Sequence, residues 1–257
     1  MVRLILYNIE YCEGTTKSVF QYLDLYHIFR AKKNYDQKMI DFLKNFDPDI
    51  LALVEVDGGS IRSGHIDVVD KFSKSLGLDF VAKAVKYTKQ GFFKYFRKLP
   101  LFKFQENALL SSIPLSEVNY HYLSKGSKRV VIEAMLELKR PVRLLLVHLA
   151  LFRKTRLRQI NDLIKIVNSS KIPTILFGDF NTFKDDELKL ILDKTNLHDA
   201  YNEDAADHTI SATEPSWKPK YRLDHVLISS DIKLEKYKIL DAHFSDHLPV
   251  MIDFKLK

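Results

Sequence analysis

The stretch TILFGDFNTF, residues 174–183, begins as a dense apolar run and ends by delivering Asp179 and Asn181 to its own exit. A run of this length and composition reads as a buried strand. Buried polar groups cost free energy unless they are paired or put to use. The ending is therefore a turn signal, part of a site, or both. Other parts of the chain repeat the pattern. Asn8 follows RLILY, Glu55 follows DILALV, and His148 follows RLLLV. Asp224 opens LDHVLIS, and Asp246 with His247 precedes LPVMI. Polar residues at so many strand ends predict one acidic, imidazole-lined pocket at a common sheet edge.

Strand-like runs occupy 2–9, 49–56, 107–113, 129–138, 142–150, 172–180, 223–229 and 248–256. The pair at 129–150, joined through Pro141, reads as a hairpin. RVVIEAMLEL partly alternates, which predicts one face in water. Helical periodicity runs through NYDQKMIDFLKNF (34–46), HIDVVDKFSKSLGL (65–78, stopped near Gly77), RLRQINDLIKIVNSS (156–170) and DDELKLILDKT (185–195). Interspersed helices and strands predict a layered α/β or α+β domain with mixed or antiparallel sheets. No Rossmann or P-loop glycine pattern appears.

The 257 residues contain no linker, repeat or low-complexity tract, so one domain over 1–257 is expected. Hydrophobic residues are 46% and charged residues 28%, ordinary for a globular protein. The one cysteine, Cys12, excludes a disulfide framework and argues against a cysteine-based zinc site. With no signal-like N-terminus and no long apolar run, a cytoplasmic location is expected, with peripheral membrane association as an addition. The net charge is +7. Residues 83–104, KAVKYTKQGFFKYFRKLPLFKF, hold seven basic side chains, seven aromatics and no acid, equal to the whole excess. Such a segment suits nucleic acid by charge and stacking, or an anionic membrane surface, or a lid with inward aromatics. No obligate protein partner is predicted.

Glu55, Asp179, Asp224 and Asp246 offer hard oxygen ligands, which suit Mg²⁺ or Mn²⁺. His148 and His247 can hold a phosphate. Carboxylate, metal and imidazole together form a kit for phosphoester hydrolysis by water. A Gly-x-Ser-x-Gly elbow is absent. DFNTFK lacks the acid and glycine of a calcium loop. HFSDH spaces His243 and His247 as zinc ligands on a helix, but Pro249 favours a turn.

LYNI, PDILALVEV, NALLSSIPL, LLVHLA, LFGDFN, RLDHVLIS and SDHLPV follow one another in the order of the endonuclease/exonuclease/phosphatase superfamily, which the chain resembles over nearly its whole length. The resemblance implies a four-layered α/β sandwich with two central mixed β-sheets, as in deoxyribonuclease I. It implies an Mg²⁺-dependent phosphoesterase, more simply a diesterase than a monoesterase, and the basic aromatic segment 83–104 points to nucleic acid as its substrate. A phospholipid headgroup diesterase, a phosphatase, or a non-catalytic module of the same fold are the alternatives. By motif match, Glu55 is the main metal ligand with Asn8 beside it and Asp246 at the metal edge. Asp179 positions or activates water, Asn181 helps orient it, His247 contacts the phosphate with Asp224 as its partner, and His148 is a second phosphate-binding imidazole. Glu106 is a candidate to orient His148, and Asn107 and Arg129 are secondary candidates. The loop GGSIRSGH, 58–65, departs from the family pattern, and places Arg62 and His65 as candidates for a second phosphate or headgroup. Residues 11–33 read as an insertion that flanks the pocket together with 83–104.

Overall fold

The computed structural model describes residues 1–14, 34–85, 104–126, 129–204 and 210–257. Among these residues, twelve strands form two six-stranded sheets. The first holds β1 (Val2–Asn8), β2 (Ile50–Asp57), β3 (Phe80–Val85), β4 (Gln105–Ser111), β11 (Ile232–Ile239) and β12 (Val250–Leu256), in the order β11-β12-β1-β2-β4-β3. The second holds β5 (Leu115–Tyr122), β6 (Val130–Leu136), β7 (Val142–His148), β8 (Thr174–Asp179), β9 (Leu197–Asp199) and β10 (Asp224–Ser229), in the order β5-β6-β7-β8-β10-β9. Each sheet has one parallel pair, β1 with β2 and β7 with β8, so both are mixed.

Period-two alternation divides each strand between two cores. Leu4, Leu6, Ala52, Leu144, Leu146, Phe177 and Val226 face inward and fill the space between the sheets. Ile5, Leu51, Leu53 and Leu110 face outward beneath α1 (Tyr35–Lys44) and α2 (Val68–Leu76). Leu145, Leu176 and Leu227 do the same beneath α3 (Arg153–Asn168) and α4 (Asp185–Lys194). The order helix, sheet, sheet, helix is the expected four-layered sandwich. A one-turn helix, α5 (Ala200–Glu203), follows β9.

The helices match their periodicity. Met39, Ile40 and Leu43 are the buried stripe of α1. In α2, Asp67 caps the start by accepting from the Asp70 N–H, and Gly77 ends the helix in the left-handed region (φ 67°). In α3 the stripe also carries buried Arg156 and Gln159.

One expectation fails. RVVIEAMLEL does not put a face in water: every residue of β6 from Val130 to Leu136 is buried. Glu133 is tolerated because Arg143 Nη2 donates to its Oε2 at 2.6 Å and His121 Nε2 lies 2.8 Å from the same oxygen. Arg143 Nη1 also donates to the carbonyls of Ile166 and Val167 at the end of α3. Burial raises the Glu133 carboxyl, but the hydrogen bonds from Arg143 and His121 outweigh it and hold it below its usual range. Glu133→Gln strands the buried guanidinium, and should destabilise the fold by about 3 kcal/mol, as for other broken buried pairs. The carboxyl is lowered in the folded chain, so wild type's advantage is present above the unfolded-state value. It disappears as pH falls through the lowered one. Urea melts of both proteins at several pH values test this; a constant gap would contradict it.

No helix among the described residues is long and apolar enough to cross a membrane. Of the basic aromatic run, only 83–85 and 104 lie within the described residues. Lys83 is in β3 and pairs with Asp67 at 2.5 Å. Of the 11–33 insertion, 11–14 are described.

Candidate active site

The sheets present their polar strand ends at one edge. Gly178 allows the arrival of Asp179: its φ is 147°, and a Cβ there would lie 1.9 Å from the Val147 carbonyl oxygen. Asp179 is cross-strand partner to His148 on one side and to Asp224 on the other. All three side chains point inward with Leu146, Phe177 and Val226. Asp179 Oδ2 accepts from Asn8 Nδ2 at 3.1 Å, a bond that spans the two sheets. Oδ1 accepts from the Asn181 N–H at 2.9 Å. His148 Nε2 lies 3.3 Å from Asp179 Oδ2 and 3.8 Å from Glu55 Oε1. Asn181 has φ 51°, a conformation asparagine tolerates, and its Nδ2 donates to the Leu149 carbonyl. The question raised by 174–183 is answered both ways: the strand exit is a turn and its polar side chains are part of the pocket.

Glu55 reaches the pocket through a bulge. Strict alternation from inward Val54 would turn Glu55 outward, toward the helices. Instead the register with β4 jumps between Leu53 and Val56, Glu55 takes φ 55°, and Val56 becomes the outward residue. The Glu55 N–H then donates to Asn107 Oδ1 at 3.3 Å, so Asn107 serves the backbone at this bulge.

His247 comes from the loop between β11 and β12. Its Nδ1 is 2.7 Å from Asp224 Oδ2, a second tie between the sheets. Burial works against its charged form, but Asp224, Asp246 and Asp179 outweigh burial, and the imidazole is held well above its usual value. Ser245 Oγ donates to the Asn8 carbonyl at 2.8 Å and lies 3.1 Å from Asp246 Oδ1. Its neighbour in sequence to Asp224, His225, points the other way. Buried against Phe180 and 3.1 Å from Thr182 Oγ1, it is lowered by burial to about 3 and stays neutral.

The remaining candidates separate. Glu106 is on the outward face with Ala108, the face opposite His148, and does not serve as its orienting partner. Burial raises its carboxyl to about 7, against Lys83 and with Asp67, Asp57 and Asp70. Arg129 donates from Nε to the Leu123 carbonyl, closing the β5–β6 turn. His65 is exposed at φ 66°. Arg62 is buried, with Nη1 2.6 Å from Glu13 Oε1. His243 and His247 sit on a turn, with His243 paired to Asp241.

Several residues here escaped the sequence. Thr213 Oγ1 accepts from the Leu223 N–H at 3.1 Å, steadying the start of β10. Burial raises the Glu214 carboxyl, His247 pulls it down, and Asp246, Asp179 and Asp224 push it up. Burial raises Glu13 to about 7, Arg62 opposes this, and Glu55 and Asp246 add to it. Both carboxyls therefore feel the negative field of the pocket. Their loops have no periodicity, and no sequence signal marks them.

Among the described residues, no group of three or more His, Cys, Asp or Glu side chains is drawn together as a closed metal shell. Mg²⁺ keeps several waters and needs only one or two carboxylates, so this is compatible with it. The donors are oxygens, the field is negative, and Glu55 keeps 17% of its side chain exposed. The donor chemistry fits a hard divalent cation.

On the helix-facing side of the second sheet, where His225 and Leu188 point, a separate cavity of about 210 Å³ is lined by Thr182, Phe183, Lys184, Asp185, Lys220 and Tyr221 among others. Phe183 and Tyr221 meet edge to face at 5.3 Å, and Lys220 Nζ lies 5.1 Å from the Tyr221 ring centre.

Two packed mixed sheets, with an acidic and imidazole pocket at one edge, define a deoxyribonuclease I-like sandwich. The chain belongs to the endonuclease/exonuclease/phosphatase family, whose model matches residues 6–247. Similar solved structures include a mannosyl-6-phosphatase from Bacteroides thetaiotaomicron, at 14% identity and TM-score 0.74, covering all of both chains. Another is an endonuclease/exonuclease/phosphatase from Beutenbergia cavernae, at 15% identity and TM-score 0.72, covering 99% of this chain and 71% of that one. A third is D. rerio TDP2 complexed with single strand DNA product, at 13% identity and TM-score 0.71, covering 99% and 98%. Comparison with curated protein sequences gives no match.

Proposed function

We propose that the protein is a divalent-metal-dependent phosphodiesterase that hydrolyses nucleic acid by attack of water. The observation that carries the chemistry is the in-register row of His148, Asp179 and Asp224, with His247 held on Asp224. Glu55, Asn8 and Asp246 would hold a Mg²⁺ ion, with Mn²⁺ as a substitute, and the bound ion would supply charge neutralisation at the scissile phosphate. Asp179, fixed by Asn8 and Asn181, orients the water and accepts its proton. The cationic His247 donates to a phosphate oxygen, and His148 donates from the other side of Asp179. Water adds to phosphorus, the ester P–O bond breaks, the leaving oxygen takes up a proton from solvent, and Asp179 returns its proton to solvent.

The +7 charge, concentrated in the basic and aromatic run 83–104, supports a nucleic acid substrate. A phosphatase reading is the runner-up, suggested by the sugar phosphatase among the structural neighbours. Supercoiled DNA, mixed phospholipid liposomes and p-nitrophenyl phosphate, each with Mg²⁺ and with chelator, separate the readings. The expected result is Mg²⁺-dependent nicking that declines steeply with salt. Headgroup release or monoester hydrolysis with intact DNA would overturn the substrate. Inactivity on all three would return the chain to a non-catalytic module.

A further inference from the structure

Two loops leave the first sheet side by side at the pocket, residues 9–14 after β1 and 58–67 after β2. In the first, Glu10, Tyr11 and Cys12 have φ of 45°, 50° and 60°, three successive non-glycine residues in the left-handed region. Such backbone persists only where its surroundings over-determine it. Part of the constraint is local: the Glu10 N–H donates to Asn8 Oδ1, and the Cys12 N–H to the Ile9 carbonyl. The turn is thus built on the side chain of Asn8 itself.

The rest comes from the second loop. The Asp57 carboxylate, two residues after Glu55, gathers the N–H groups of Gly59 and Ser60 and the Ser60 hydroxyl. Ser60 Oγ accepts from the Arg62 N–H at 3.0 Å. The Arg62 side chain crosses to the first loop, ion-paired with Glu13 and with its guanidinium carbon 4.7 Å from the Tyr11 ring centre. It is 3% exposed, which suits an internal strut and not a substrate contact.

We propose that Arg62 is a positioning residue that clasps the turn carrying Asn8 to the strand end carrying Glu55, and so sets the spacing of the oxygen donors for the divalent cation. This rests on the metal-assisted reading above. The planar guanidinium is needed for both contacts at once, to the Glu13 carboxylate and to the Tyr11 ring, which an ammonium does not reproduce.

The sign of the effect separates a clasp from a bare charge. By charge alone, removing Arg62 leaves the pocket more negative and tightens cation binding, whereas removing the Glu13 charge weakens it. A clasp predicts loss in both cases. The experiment measures Mn²⁺ binding by electron paramagnetic resonance of the free ion, with a thermal melt for each protein. It compares wild type, Arg62→Ala, Arg62→Lys, Glu13→Gln and the Arg62→Ala/Glu13→Gln double variant. Each single variant should bind about tenfold more weakly or worse, as when groups that orient metal ligands are lost. The double variant should be no worse than the weaker single. Arg62→Lys, which keeps the charge and most of the volume, decides the matter if Arg62→Ala does not fold. Binding at wild-type strength or tighter in the Arg62 variants, or additive losses, would overturn the clasp alone. A folded wild type that binds no Mn²⁺ would overturn the metal reading and the clasp with it.

Discussion

Asp179→Asn should lower kcat for Mg²⁺-dependent phosphodiester hydrolysis by about 10³-fold, the middle of the range for a positioned general base. The geometry explains why an isosteric change is so costly. Asp179 uses both oxygens, one for the Asn8 amide and one for the Asn181 N–H. An asparagine has a single acceptor oxygen, so one of those donors loses its partner. It also has no basic oxygen to take a proton from water, and it turns an N–H₂ toward either Asn8 or the backbone. Steady-state kinetics at saturating Mg²⁺, with circular dichroism to establish the fold, measure the effect. A loss of less than about tenfold would place the base elsewhere.

The second large effect is expected at the His247–Asp224 pair. Asp224→Asn should reduce kcat by about 10²-fold to 10³-fold, comparable with loss of a transition-state donor. The 2.7 Å contact from Asp224 to Nδ1 both orients the ring and sustains its positive charge. An amide sustains the charge poorly. His247→Ala should cost at least as much, and the double variant should be no slower than His247→Ala alone, because the two residues act as one unit. Multiplicative losses in the double variant would show that Asp224 acts on something other than His247.

Much of this site was legible because its residues stand where apolar runs stop. The runs ending in Asn8, His148 and Asp179, and the one opening with Asp224, are central strands covered on both faces, and dense hydrophobicity marks such strands clearly. Edge strands gave no such signal. β5 reads LSEVNYHY and is largely exposed, and β11 reads IKLEKYKI with alternating lysines in water. β3 and the three-residue β9 were missed for the same reason, both lying at the margin of their sheets. Glu55 was found by position, but the bulge that turns it inward depends on a register jump against β4, which only pairing reveals. Glu106 shows the converse: it neighbours Asn107 in sequence and faces the opposite way. Arg62 was recognisable as a cation near the site, yet its partner Glu13 lies in a loop with no pattern. The sequence could name the chemistry of these residues but could not supply contacts made across the chain.

The alignment of His148, Asp179 and Asp224 across three neighbouring strands has a consequence for how the protein can change. Adjacent strands lie about 4.8 Å apart, a spacing imposed by backbone hydrogen bonds. These candidate site groups thus stand on a ruler whose divisions no side-chain substitution can alter. Insertions and replacements in the loops around the rim can recast which molecule is admitted while the pitch beneath stays constant. A strand that slipped by one position would abolish the arrangement altogether, turning one tooth of the comb toward the helices. Variation is cheap at the rim and forbidden at the ruler, which is a physical reason for one framework to accommodate different phosphoesters.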